Sequence, residues 1–473
     1  MRVSSPVPTQ LPTGRSSRQL STRLSLLLLA VVYLSMALTF SSLTRVYEAD
    51  DEPAHVQNIE YIVGHHALPR IGVANGLESH QPPLYYVLEA AWQDVLRIHA
   101  FTPVVVPAKT EPNSTAFNRL LYSTHYTPSQ HADAVRVHEL RILSVLLGLG
   151  TVLLTYAAAR IIGTRELLAL SCGLVVALWP KALVAFSSVT NDALVILLCT
   201  LAIVLFLLSE RARAEERFRH RRMHLFAMGL VLGAAAITKL NSLPVAVVLF
   251  ALATVPLLAG SRRRHKGSRA QVRLVLDVTL AVLGFFAVSG WWFIRNHDLY
   301  GQFLATRASE QYLSVFLLHP VPWNPDLIFR TFPRVLLWYS WYNQPNLGLP
   351  LRMNQALAVL GLPCLVVGAW VVVRHRAWIS RSLTPLSAIA LPGSIAGGLA
   401  ALLIIIKTNS IGDTRDAFVA LTAIAIVLTV GSSWLFSRIG PRLELVGVSL
   451  WPVVFLSLDV YVLIRFLIPL GGL

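Results

Sequence analysis

The residues able to do chemistry gather early in the chain. Glu48, Asp50, Asp51 and Glu52 place four carboxylates in five residues, and His55 follows. Mutual repulsion in such a cluster raises one pKa toward the range in which a carboxylate takes a proton from an attacking hydroxyl. Asp51 and Glu52 are therefore candidate general bases. His55 stands at i,i+4 from Asp51 and i,i+3 from Glu52, on one helix face. Asp51 with His55 is also the candidate metal-ligating pair; a divalent metal is compatible with the pattern but not required. The plainer reading is a helix start whose acids favour its positive end. Pro53 in a first turn, with Val56, Ile59, Ile62 and Val63 at helical spacing, predicts a short amphipathic helix in the interface. Asp51 or Glu52 would cap it. His80-Gln81-Pro82-Pro83 then predicts a rigid turn into a second helix over 84–98, and residues 100–135 read as irregular. His80, Gln81 and Tyr85 are candidate substrate contacts beside His55.

The elements that position these residues are membrane spans. The chain has 473 residues, of which 55% are hydrophobic and 14% charged, against about 25% charged in a soluble domain. Mean hydropathy is +0.61. A spanning helix needs roughly 20 mostly apolar residues. About eleven segments qualify, near 24–43, 141–160, 166–186, 190–209, 223–240, 242–260, 274–294, 355–373, 386–406, 417–437 and 445–466. The first is too long an apolar run for a signal peptide and reads as an uncleaved anchor. The expected architecture is all-α and polytopic. It divides into a cytoplasmic tail (1–23), a membrane module (24–294) carrying a large outer loop (44–140), a second outer loop (295–354) and C-terminal helices (355–473).

Orientation follows from Lys and Arg. With the N-terminus in the cytoplasm, the short inner segments hold 23 of the 40 basic residues. The net charge of +16 is then a topology signal that meets anionic lipid, and carries no argument for nucleic acid. An odd number of spans puts the C-terminus outside. Cys172, Cys199 and Cys364 show no disulfide or metal spacing and read as small core residues.

Several cations run against the positive-inside trend. At 1.5 Å rise per residue, Lys181 and Lys239 sit roughly 22 and 24 Å from the inner ends of their spans. Arg141, Arg295, Lys407 and Arg465 also fall near the outer boundary. Charges there are costly and usually have a reason. A lipid phosphate sits at this depth, where Arg grips bidentately and Lys adds a point charge. Fixed cations of this kind also stabilise a departing phosphate. The alternative for any one of them is snorkelling to headgroups. Asp192, at the outer end of its span, either pairs with a cation or caps its helix. Trp291-Trp292, Trp323, Trp338 and Trp341 read first as an interfacial aromatic belt.

At these residues the chain resembles the GT-C superfamily of integral-membrane glycosyltransferases, which includes protein O-mannosyltransferases and lipid A aminoarabinose transferases. Asp51-Glu52 match the superfamily's acidic pair just after the first span. Gln81-Pro82-Pro83-Leu84 resembles its Pro-Pro-Leu motif, with Gln where His is usual. Arg141-Ile142-Leu143-Ser144, Asn191-Asp192-Ala193-Leu194, Thr238-Lys239 and Arg295-Asn296 are smaller echoes, in order. The resemblance implies inverting transfer of a sugar from a polyprenyl-phosphate donor to an acceptor hydroxyl on a glycan, lipid or protein outside the membrane. The first-loop acid is the implied base. Arg295, Lys239, Lys181 and Arg141 are then the expected donor-phosphate ligands, and His55, His80, Gln81, Tyr85, Asp192 and Asn296 substrate contacts. The rival readings are a secondary transporter and a non-catalytic envelope assembly protein that kept the fold.

Overall fold

The computed structural model describes residues 15–49, 51–72, 77–99, 101, 109–110, 120–121, 128–261, 268–314, 320–339, 343–344, 347–380, 383–409 and 412–468. Asp50, the Asn113-Ser114-Thr115 sequon, the basic run 262–266 and Trp341 lie outside them. The chain is helical: α1 (Arg15–Leu43), α2 (Glu52–His65), α3 (Leu84–Leu96), α4 (Pro128–Ile161), α5 (Glu166–Ala177), α6 (Pro180–Phe186), α7 (Asn191–Ala214), α8 (Phe218–Ala236), α9 (Leu243–Ser261) and α10 (Ser268–Tyr300). There follow α11 (Thr306–Ser314), α12 (Phe332–Tyr339), α13 (Leu351–Arg374), the single turn α14 (Arg376–Ile379), α15 (Pro385–Asn409), α16 (Leu421–Ile439) and α17 (Glu444–Val462). Two antiparallel bridges, Lys109–Thr110 with Leu120–Leu121 and Asn343–Gln344 with Leu347–Gly348, are the β-structure among the described residues.

Eight of these helices are long and apolar enough to cross a membrane, and a bent pair makes nine. Among the described residues this count does not reach the expected eleven, and further apolar helices stand beside these spans. Leu240–Val255 is a further apolar stretch, and α8 opens on Arg219, Arg221 and Arg222. Arg221 enters the interior only by pairing with buried Asp277 of α10. The expected span over 166–186 breaks into α5 and α6, bent by 64°. Pro180 explains the break. It has no N–H to continue α5 and forces Trp179 into an extended conformation. Outward faces such as Val272, Leu283, Phe286 and Ile294 on α10 are exposed and apolar, as lipid contact requires. The protein is a multi-pass membrane protein.

The main core joins Leu29 and Tyr33 of α1, Val152 of α4, Cys172 of α5, Cys199 of α7, Leu232 of α8 and Ile426 of α16. Close helix approach is bought with glycine. A Cβ on Gly368 of α13 would strike the Val427 carbonyl of α16, and one on Gly431 would strike the Cys364 carbonyl; small residues at such crossings let backbones touch. Gly431→Val is expected to lower stability by about 2–3 kcal/mol, read as thermal unfolding in detergent. Gly290→Ala, whose Cβ meets only Phe286 at 3.8 Å, is the control and should not destabilise.

A second core carries the loop helices. Val46, Val56 and Ile59, with Tyr85 and Tyr86 of α3, pack on Val137 and Leu140 of α4 and on Val189 and Leu194 beside or within α7. This contact explains why α4 begins at Pro128, well before the expected 141. Its extra turns are apolar where they meet α2 and α3. Helix α3 ends at Leu96, two residues short of the expectation, where Arg97 turns left-handed (φ 57°).

Candidate active site

Between α1 and α2, Tyr47 and Asp51 take left-handed φ values of 69° and 61°. These are uncommon for residues other than glycine, and Asp tolerates them best. The turn aims Glu52 inward, where it is fully buried. Its carboxylate accepts from Arg141 Nε and Nη2, both at 2.7 Å, and from the backbone N–H groups of Tyr47 (2.9 Å) and Val189 (3.0 Å). Burial alone pushes the Glu52 carboxyl up, but Arg141 and the two backbone donors outweigh it and hold it low. The other guanidinium N–H groups go to the carbonyls of Ser41, Thr44 and Arg45, at the end of α1. A guanidinium has five N–H groups, and all five are engaged. This corrects the sequence reading of Glu52 as base and Arg141 as phosphate ligand: each is committed to the other. They clamp α1, α2, α4 and the entry to α7 together.

Asp51 faces the other way, with its side chain 37% exposed. It is the N-terminal flanking residue of α2 but makes no capping bond. Its Oδ2 instead accepts from Arg415 Nη2 at 2.5 Å, and Arg415 Nε lies 3.6 Å from Asp192 Oδ2. Lys239 Nζ bridges Asp192 Oδ1 (2.6 Å) and Asp416 Oδ1 (3.1 Å). Lys181, at the start of α6, pairs with Asp413 Oδ1 at 2.6 Å, and that oxygen also accepts from the Arg415 backbone N–H. Of the two roles expected for Asp192, pairing is the one observed. Thr190 caps α7 through its hydroxyl. Each charge has a local cause. The Pro180 break exposes Lys181 at a helix start. The end of α8 at Ala236 leaves Lys239 in extended backbone (φ −156°). A 3-10 turn, Thr414–Ala420, presents Arg415 and Asp416 ahead of α16.

His55, buried on α2, shares its Nδ1 with the Tyr86 hydroxyl at 2.9 Å. Burial pushes its pKa down, favouring the neutral imidazole. Burial also raises Glu78, which stands in the 3-10 turn Leu77–His80. For Asp51, burial pushes upward, but the Arg415 charge and its hydrogen bond outweigh it and hold the carboxyl below the usual range. Tyr85 is buried, and its hydroxyl donates to Glu89 at 2.8 Å and meets Ser144. It ties α3 to α4, where the sequence reading expected a substrate contact.

Of the remaining expected residues, His80, Arg295 and Asn296 line an adjoining recess, and Gln81 lies beside it. Arg295 donates to Pro69 O at 3.0 Å and lies 5.0 Å over the Trp292 ring. Asn296 donates to Phe303 O, and Gln81 meets His80 at 3.2 Å. His80, Arg295, Asn296 and Tyr300 share the recess with Ser79 and Leu240, which are chain neighbours of Glu78 and Lys239. Asp51, His55, Asp192, Lys239 and, through Asp413, Lys181 thus form one charged cluster, and His80, Arg295 and Asn296 its flank. Arg415, Asp413 and Asp416 were missed. Their signal, three charges in four residues directly before an apolar run, is plain in the sequence but names no chemistry. Among the described residues no group of three or more His, Cys, Asp or Glu is arranged to hold a metal. Asp51 is engaged by Arg415 and His55 by Tyr86.

A family model described as dolichyl-phosphate-mannose-protein mannosyltransferase matches residues 119–294. Solved structures extend the likeness over nearly the whole chain. ArnT from Cupriavidus metallidurans in the apo state gives a TM-score of 0.52 at 13% identity, covering 96% of this chain and 74% of that one. The same protein bound to undecaprenyl phosphate gives 0.50 at 14% identity, with 97% and 74% covered. The archaeal oligosaccharyltransferase AglB from Archaeoglobus fulgidus, in complex with an inhibitory peptide and a dolichol-phosphate, gives 0.50 at 12% identity, with 97% and 56% covered. The chain thus spans little more than half the length of AglB. No match was found among curated proteins. The fold is the one shared by ArnT and AglB.

Proposed function

We propose that this protein transfers a sugar from a polyprenyl-phosphate donor to an acceptor hydroxyl by a single inverting displacement. The observation that carries the reading is the placement of Asp51. It is a partly exposed carboxylate at the edge of a cluster of cations contributed by Lys239, Arg415 and Lys181. Asp51 takes the acceptor proton as the acceptor oxygen bonds to the anomeric carbon. The bond from that carbon to the phosphate oxygen breaks, and its electron pair leaves with the polyprenyl phosphate. Lys239 and Arg415, with Lys181 behind them, stabilise that charge, and Arg295 and His80 border the space for sugar or acceptor. The bias of Lys and Arg toward one side puts the N-terminus in the cytoplasm and this site outside.

The test is reconstitution of the purified protein in liposomes with a panel of labelled polyprenyl-phosphate sugars. Loss of label from one lipid to a glycan, lipid or peptide acceptor is the expected result. Solute uptake in the same liposomes, with no transfer from any donor, would replace this reading with a transporter.

A further inference from the structure

The charged cluster holds more acid than base. Asp51, Asp192, Asp413 and Asp416 face Lys181, Lys239 and Arg415, and each of the three cations is already paired. An incoming phosphate therefore meets no vacant cation among these three and must take one from a carboxylate. The four carboxylates are not equally easy to displace. Asp192 and Asp416 are 2% and 9% exposed and share Lys239. Asp413 holds Lys181 and also caps the turn that carries Arg415. Asp51 is the most exposed of the four, so its ion pair is the one solvent and an incoming ligand can reach. Arg415 released from Asp51 keeps Asp192 beside its Nε, so its charge stays compensated.

We propose that Arg415 is an exchange ligand: it pairs with Asp51 in the donor-free protein and transfers to the donor phosphate when the lipid binds, which frees Asp51 to act as the base. This rests on the donor reading above and adds a coupling to it. The guanidinium fork can grip two phosphate oxygens at once, a geometry that favours the phosphate over a carboxylate contacted through one nitrogen. A ligand shifts such an equilibrium only through its different affinity for the two states, and here the difference is the Arg415–phosphate contact itself. Asp51 is held weakly basic by the same guanidinium until the donor arrives. The proton-accepting carboxylate and the leaving phosphate are thereby linked through one side chain.

The experiment measures binding of undecaprenyl phosphate, which carries no sugar, to detergent-solubilised full-length protein. Asp51→Asn removes the competitor and should tighten binding roughly tenfold, while Arg415→Gln should weaken it by a similar factor. The gain from Asp51→Asn should vanish in the double variant. A change in the general field would instead make Asp416→Asn equally effective and leave the gain intact without Arg415. Circular dichroism and thermal unfolding establish that each variant is folded. Wild-type binding that Asp51→Asn does not tighten, or tightens equally without Arg415, overturns the exchange and leaves the donor reading standing. A wild-type protein that binds no polyprenyl phosphate overturns both.

Discussion

Asp51→Asn should reduce sugar transfer by about 10²–10⁴-fold, the usual contribution of a positioned base, and leave the protein folded and inserted. The variant is a clean one for a backbone reason. Asp51 sits at φ 61°, and asparagine is among the few residues that adopt this conformation readily. The substitution keeps the turn and the shape of the side chain and removes only the negative charge. Its stability cost is one partly exposed ion pair, about 1 kcal/mol or less. Turnover per folded molecule, beside a melting curve in the same detergent, is the measurement. Wild-type turnover in this variant would remove Asp51 from the chemistry.

Glu52→Gln should do the reverse. The carboxylate is buried with Arg141 and accepts four hydrogen bonds, two from the guanidinium and two from backbone N–H groups. An amide has one acceptor oxygen and places an NH₂ where a donor already points. It also leaves the Arg141 charge unbalanced in the interior, an arrangement that costs about 3–5 kcal/mol. The expected result is a sharp loss of membrane yield and melting temperature, with the folded fraction still turning over. A variant that melts like wild type but has lost turnover would return Glu52 to the role of base.

The contrast between these neighbours marks where local sequence stops being informative. The helix at Pro53 and its register were legible, because they depend on spacing within a few residues. The left-handed turn at Asp51 was not. It sends adjacent carboxylates in opposite directions, Glu52 toward an arginine 89 residues away and Asp51 toward one 364 residues away. Span positions were legible from apolar runs, and the break at Trp179-Pro180 was legible in principle from the proline. Arg141 looked like a loop-end cation because its helix was expected to start there. That helix starts instead at Pro128, since Val137 and Leu140 find apolar partners on α2 and α3. Arg415 carried no local mark of its role, which lies in the residue it meets.

That meeting has a consequence for synthesis. The 364 residues between Asp51 and Arg415 take roughly 20–70 s to translate at ordinary rates. For the later part of that interval Asp51, Asp192 and Lys239 are already made, but the guanidinium that joins them is not. A nascent chain can close the Glu52–Arg141 clamp early, yet it cannot assemble the charged pocket until its last spans enter the bilayer. Ribosome-stalled intermediates should therefore mature in two stages, with protease resistance of the first loop preceding competence for the lipid.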